Sequence, residues 1–180
     1  MRSSKDYRWE IDAKIRYTRF MIAPPRTRAL LVLLFLSLCS RSLSAQITVD
    51  ATVTRVIDGD TVELRVGAVT YRGRLHGIDA PERRQPWGPE SHAVLESLVG
   101  GGRTVRVVVP DVDRFGRLIV RLFVGDDEVN LRMLELGASW HYTEFDQSDA
   151  YAAAERRARA ARRGLWAGAD PVPPWEWRRR

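Results

Sequence analysis

From residue 47 the chain alternates apolar and polar side chains, with Ile47, Val49, Ala51 and Val53 set against Thr48, Asp50, Thr52 and Thr54. A period of two puts each set on one face of an extended strand, so this segment needs a sheet with one buried face. Asp58-Gly59-Asp60 breaks the alternation, and Val62, Leu64 and Val66 resume it. Gly67 turns the chain into residues 69–75, and two further strand patterns cover 104–109 and 118–124. Five strands, mostly joined by short turns, predict a small barrel. Three helical segments are interleaved with them. The first opens at Gly88-Pro89-Glu90, carries Val94, Leu95 and Leu98, and stops at Gly100-Gly101-Gly102. The second is predicted to run from an Asn130 cap to Gly137. The third begins near Ser148-Asp149 and ends at Gly164, with Glu155 and Arg159 spaced to pair. Pro171-Val172-Pro173-Pro174 is expected to forbid further helix. Trp175 to Arg180 is then expected to be a mobile terminus, with phosphate or membrane contact as the alternative.

Charge is distributed unevenly. The 180 residues carry a formal net charge of +6. Residues 1–45 hold nine Lys/Arg and three Asp/Glu, which leaves 20 of each sign in residues 46–180. The excess belongs to the N-terminal segment, so attraction to a polyanion must come from the arrangement of charge. That segment contains an apolar run from Ala29 to Leu38, too short for the roughly 20 residues of a membrane span. Arg26 and Arg28 precede it and Ser42-Leu43-Ser44-Ala45 follows, the pattern of a signal peptide cut after Ala45. Translation from Met21 would give a leader of ordinary proportions. The expected organisation is a leader over 1–45, a domain over 46–167 and a Pro/Trp/Arg-rich tail over 168–180. The expected location is periplasmic or secreted, with the membrane touched only through the leader. Cys39, the only cysteine, lies in the leader, so the mature chain has no disulfide and no thiol nucleophile.

Three acidic clusters punctuate the strands: Ile57-Asp58-Gly59-Asp60-Thr61, Gly77-Ile78-Asp79-Ala80-Pro81-Glu82, and Asp111-Val112-Asp113-Arg114-Phe115-Gly116-Arg117. Singly, each is ordinary turn chemistry. Other site types fail by spacing. An EF-hand needs a ligand at the fifth loop position and Gly at the sixth, where Val62 and Glu63 stand. His76, His92 and His141 lack zinc-ligand spacing. No Gly-rich phosphate loop ends in Lys, and no Ser occupies a nucleophile elbow. What remains is carboxylates and arginines, a set suited to metal-assisted phosphodiester hydrolysis. His76 is expected on the strand surface and His141 against the third helix. Trp87, Trp140 and Trp166 are expected in the core.

Asp58-Gly59-Asp60-Thr61, then Arg74 five residues before Asp79 in R-L-H-G-I-D-A-P-E, then W-G-P-E, D-R-F-G-R, V-N and G-L-W resembles the staphylococcal nuclease family over about residues 47–167. The resemblance implies an α+β, mainly β fold: a five-stranded OB-type barrel with three helices. It implies a Ca²⁺-dependent endonuclease acting on DNA and RNA and leaving 3′-phosphate ends. It implies Asp60 and Asp79 as carboxylate ligands of Ca²⁺, the Ala80 carbonyl as a third ligand, and Asp58 as nearby support. Glu82 would act as, or position, the general base. Arg74 and Arg117 would hold the phosphate and stabilise the transition state. Arg114, Phe115 and Tyr142 would contact substrate. The best-known member has Thr at the Ala80 position and Tyr at the Phe115 position, so one hydroxyl contact is lost here. No obligate protein partner is implied, and a monomer is expected. A catalytically inactive nucleic-acid-binding barrel and a structural calcium-binding barrel are the competing readings. Neither has a chemical need for Asp60, Asp79, Glu82, Arg74 and Arg117 together.

Overall fold

The computed structural model describes residues 47–180. The leader, Met21, Cys39 and the cleavage point after Ala45 lie outside the described residues. The five principal strands are β1 (Ile47–Val56), β2 (Thr61–Val66), β3 (Val69–Leu75), β5 (Thr104–Val112) and β6 (Leu118–Val124). Three two-residue strands, β4 (Ile78–Asp79), β7 (Asp127–Glu128) and β8 (Trp140–His141), were not foreseen from the sequence. The helices are α1 (Gly88–Val99), α2 (Val129–Glu135), α3 (Asp149–Ala160) and α4 (Pro174–Trp177), with a 3₁₀ turn at Gly164–Ala167.

Strand order β3-β2-β1-β5-β6 is antiparallel throughout, and a parallel pairing of β3 with β6 closes the barrel. The period-two pattern decides which side chains enter it: Val62 and Leu64, Leu75, Val105 and Val107, Val120 and Leu122 all point inward. On β1 the alternation holds through Val53. A register shift between Val53 and Arg55 then turns Val56 inward and leaves Arg55 outside against Glu63. One extra residue re-aims the strand end that leads into the acidic turn. Each fully buried Leu or Val contributes roughly 1.5–3 kcal/mol relative to exposure.

Helix α1 buries Ser91, Leu95 and Val99, a stripe at i, i+4, i+8, against the barrel. Helices α2 and α3 pack on each other, and Ala154 and Ala158 on the buried face of α3 permit close approach. A second apolar cluster of Trp140, Ala158, Leu165 and Trp166 takes Trp87 and Trp175 against its edge. The tryptophans expected in the core are therefore there, with Trp87 only partly covered.

Three expectations need correction. Asn130 is no cap. It is a buried residue within α2, whose side chain accepts from Leu122 N at 3.1 Å and donates to His76 O and Val120 O, each at 3.0 Å. The three bonds knit the end of β3 to β6 beside the barrel seam, and no local sequence signal distinguishes them from a cap. The proline run does not end helical structure: Pro174 begins the one-turn α4, since proline is tolerated where the helix needs no N–H bond. Trp175 to Arg180 is folded onto the domain, as the contacts below describe. Among the described residues no helix is long and apolar enough to cross a membrane.

Candidate active site

The β1–β2 turn is built by short-range bonds. Ile57 N donates to Thr61 O at 2.8 Å, and Asp60 N donates to Asp58 Oδ1 at 3.1 Å. Asp58 thus shapes the turn that presents Asp60. Gly59 is required by close approach, because a Cβ there would lie 2.0 Å from Ser91 Oγ and 2.7 Å from the Ala80 Cβ. The turn can therefore sit directly on α1 and on the second acidic segment. Asp60 Oδ2 accepts from Ala80 N at 2.7 Å, a bond spanning 20 residues of chain.

Arg74 reaches this turn by strand register. In the β2–β3 pair Thr61 stands opposite Arg74, so the guanidinium lies beside Asp60. Leu75 points into the barrel and Arg74 away from it, as alternation requires. One guanidinium nitrogen of Arg74 pairs with Asp60 Oδ1, and the other lies 2.6 Å from Asp79 Oδ1. Asp60 is 2% exposed and Asp79 0%. Two buried carboxylates thus share one guanidinium, the arrangement that makes burial of such charges tolerable. Asp79 is held by β4, which pairs with β8 through Ile78–His141 and Asp79–Trp140.

Glu82 follows in a turn closed by Gln85. Gln85 N donates to Glu82 O at 2.8 Å, and Glu82 N donates to Gln85 Oε1 at 3.1 Å. Gly88 packs on the same peptide, since a Cβ there would come within 2.1 Å of Glu82 O. The Glu82 side chain is 40% exposed. Its carboxylate is bonded at 2.8 Å to Arg178, whose other nitrogen lies 2.8 Å from Asp79 Oδ2. Arg178 and Gln85 were not singled out from the sequence. The aromatic and arginine content of the tail was the one signal for Arg178, and Gln85 carried none.

Arg117 takes no part in these ion pairs. The parallel pairing of Gly73 with Leu118 sets it beside Arg72. Its guanidinium is held by Asp113 at 2.7 Å and makes no ion pair with Asp60, Asp79 or Glu82. Burial opposes ionisation of Asp113, but bonds from the Arg117 N–H and side chain and from Phe115 N hold its carboxyl below the usual range. Phe115, 70% exposed, caps the hairpin with the guanidinium of Arg114 4.8 Å above its ring. A cleft of about 450 Å³ runs past Arg72, Phe115, Gly116 and Arg117. The predicted residues therefore fall into two groups: Asp58, Asp60, Arg74, Asp79, Ala80 and Glu82 together, and Arg114, Phe115 and Arg117 on the β5–β6 hairpin.

Tyr142 is not an open stacking platform, because Trp175 already covers one face, with ring centroids 5.4 Å apart and planes at 6°. His141 is buried, packs edge-on against Tyr151 of α3 and lies 3.1 Å from Asp146. His76 Nδ1 is 3.8 Å from the same carboxylate. Burial disfavours the charge on Asp146, but bonds from Ser148 and His141 outweigh it and lower its pKa. Among the described residues no three His, Cys, Asp or Glu side chains are placed to hold an ion by themselves.

The family profile described as "Staphylococcal nuclease homologue" matches residues 72–168. An "Uncharacterized endonuclease" of Escherichia coli is 42% identical over 129 residues, covering 71% of this chain and 84% of that protein. An "Uncharacterized endonuclease" of Haemophilus influenzae is 34% identical over 154 residues, covering 85% and 83%. A "Probable staphylococcal-like nuclease CAN2" of Oryza sativa subsp. japonica is 44% identical over 109 residues, 61% of this chain. The chain spans only 29% of that rice protein's length. The profile covers more than half of the chain, with the second and third acidic segments, and each bacterial match covers more than two thirds of both partners. On that footing the chain belongs to the staphylococcal nuclease family.

Proposed function

We propose that this chain is an exported endonuclease that hydrolyses phosphodiester bonds of DNA and RNA with the help of Ca²⁺ and leaves 3′-phosphate ends. One observation carries the reading: two buried carboxylates, Asp60 and Asp79, are drawn together from separate loops onto one guanidinium, with the freer carboxylate of Glu82 three residues beyond Asp79. The donor set suits a hard divalent cation, since the side-chain donors are oxygen only and are already gathered around a positive group. Asp60 and Asp79 would hold it, with the Ala80 carbonyl as a main-chain ligand. When bound, such an ion offsets negative charge on the phosphoryl oxygens. Glu82, the carboxylate with a solvent-facing side, takes the proton of the attacking water or orients that water. Arg74 neutralises charge that builds on the phosphate through paired hydrogen bonds. Arg117 joins it by exchanging Asp113 for the substrate. Arg114 and Phe115 at the hairpin tip border the strand beyond the scissile bond. The leader pattern of residues 1–45 supports export to the periplasm or the medium.

The test is cleavage of plasmid DNA and of RNA by the purified protein with Ca²⁺ or with a chelator. Both substrates are cut with Ca²⁺ and neither with the chelator. Folded protein that leaves both intact under Ca²⁺ overturns the enzyme reading. End-labelling of the products then reads the chemistry, and 5′-phosphate ends would refute that part of the proposal.

A further inference from the structure

The C-terminal segment completes the carboxylate site. Gln85, 3% exposed, accepts from Glu82 N through Oε1 and donates from Nε2 to Val172 O at 2.6 Å. A single buried amide thus ties the backbone of Glu82 to the tail. Pro174 is buried, and Trp175 stacks on Tyr142 while packing against the Trp140–Trp166 cluster. One helical turn, closed by Arg178 N on Pro174 O at 3.0 Å, carries the next arginine back over the site. There the Arg178 guanidinium forks: Nη2 to Asp79 Oδ2 at 2.8 Å, Nη1 to Asp79 Oδ1 at 3.3 Å and to Glu82 Oε1 at 2.8 Å.

We propose that Arg178 is a positioning residue of this active site, delivered by the docked tail, and that it holds Glu82 in its working orientation against Asp79. The inference rests on the nuclease reading above. Glu82 is a long, partly exposed side chain, and among the described residues Arg178 is its only side-chain partner. Without that partner its rotamers are free, and a base out of place is a slow base. The charge balance points the same way. Asp60, Asp79 and Glu82 present three carboxylates to an incoming anionic phosphate, and the Arg74 guanidinium contacts only the first two. The Arg178 guanidinium offsets the third in the resting site. A removable plug would have no anchor besides the acids it covers. Here the tail is anchored by an amide and an aromatic stack outside the carboxylates, and the Arg178 side chain stays 42% exposed.

Full-length Arg178→Ala, Arg178→Lys and Trp175→Ala are compared with wild type for kcat and KM on a labelled oligonucleotide with Ca²⁺. Binding of the same oligonucleotide is followed by anisotropy in chelator. Arg178→Ala should lower kcat by about ten- to hundredfold, the usual cost of losing a partner that orients a reacting or ligating group. KM and binding in chelator should change by less than about threefold, a bound set by the small worth of one exposed charge contact. Millimolar guanidine should restore part of the Arg178→Ala rate. Arg178→Lys, which keeps charge but cannot fork, should fall between. Trp175→Ala, which loosens the tail, should share the kcat loss. Three results would overturn the proposal: an Arg178→Ala rate equal to wild type, a higher rate that marks the tail as a plug, or a binding loss that accounts for the whole defect. If wild type cuts, any of these leaves the nuclease reading standing; an inert wild type defeats both.

Discussion

The carboxylate cluster and the β5–β6 hairpin both carry arginines, yet they are built on opposite plans. In the cluster each carboxylate has a partner distant in the chain: Asp60 the Ala80 N–H, and Asp79 and Glu82 the Arg178 guanidinium. Asp60 and Asp79 are buried, and Glu82 is partly exposed. In the hairpin Arg117 is held by Asp113, four residues away, and Phe115 stands in solvent. Bonds within one turn need no distant element, and a partly exposed pair four residues apart can exchange for a better partner. The first arrangement is fixed by the folded core and tail. The second is suited to a side chain that changes partner when a phosphate comes.

That contrast can be broken by substitution. Arg74→Ala should do the most damage, because it leaves Asp60 without its counter-charge and removes one from Asp79. A loss of about 3–5 kcal/mol of stability is expected, read by denaturant unfolding in chelator, together with loss of cleavage. Unchanged stability would mean that the buried acids do not depend on the guanidinium. Glu82→Gln should cost on the order of 10²–10⁴ in rate with no drop in melting temperature, since its side chain is half in solvent. A variant that cuts at full rate would remove Glu82 from its role. Arg117→Ala should cost on the order of 10²–10³ in kcat, the effect of one transition-state donor, again without a change in melting temperature. A stability loss like that of Arg74→Ala would erase the distinction between the two regions.

Asp113→Asn should have the smallest effect, under about 1 kcal/mol as for exposed ion pairs. Its pH dependence sharpens the comparison. The Asp113 carboxyl is held below its ordinary value in the folded chain. Its contribution is therefore complete above the unfolded value of about 3.9 and fades as pH falls through the lower folded value. Wild type and variant should differ near neutrality and converge in acid. A gap that widened as pH fell would show that the carboxylate is not what stabilises the turn.

Much of the fold was legible because barrel strands obey a short period. Val62 and Leu64, Val105 and Val107, Val120 and Leu122 announce their inward faces, and the same alternation sets Arg74 on the face opposite Leu75. Asn130 misled because the same residue type serves as a helix cap and as a buried three-bond bridge. Only its neighbours distinguish the two uses. The Trp175 ring on one face of Tyr142 is a contact that no local pattern announces.

Local patterning by itself determined the five principal strands, the limits of the first helix at Pro89 and Gly100, and the spacing of the acidic segments, because each follows from interactions within a few residues. Tertiary structure alone decided which charges share a partner. Arg178 meets Glu82 across 96 residues and Gln85 meets Val172 across 87. No periodicity encodes such a meeting, because it depends on where separate elements come to rest once the core has closed.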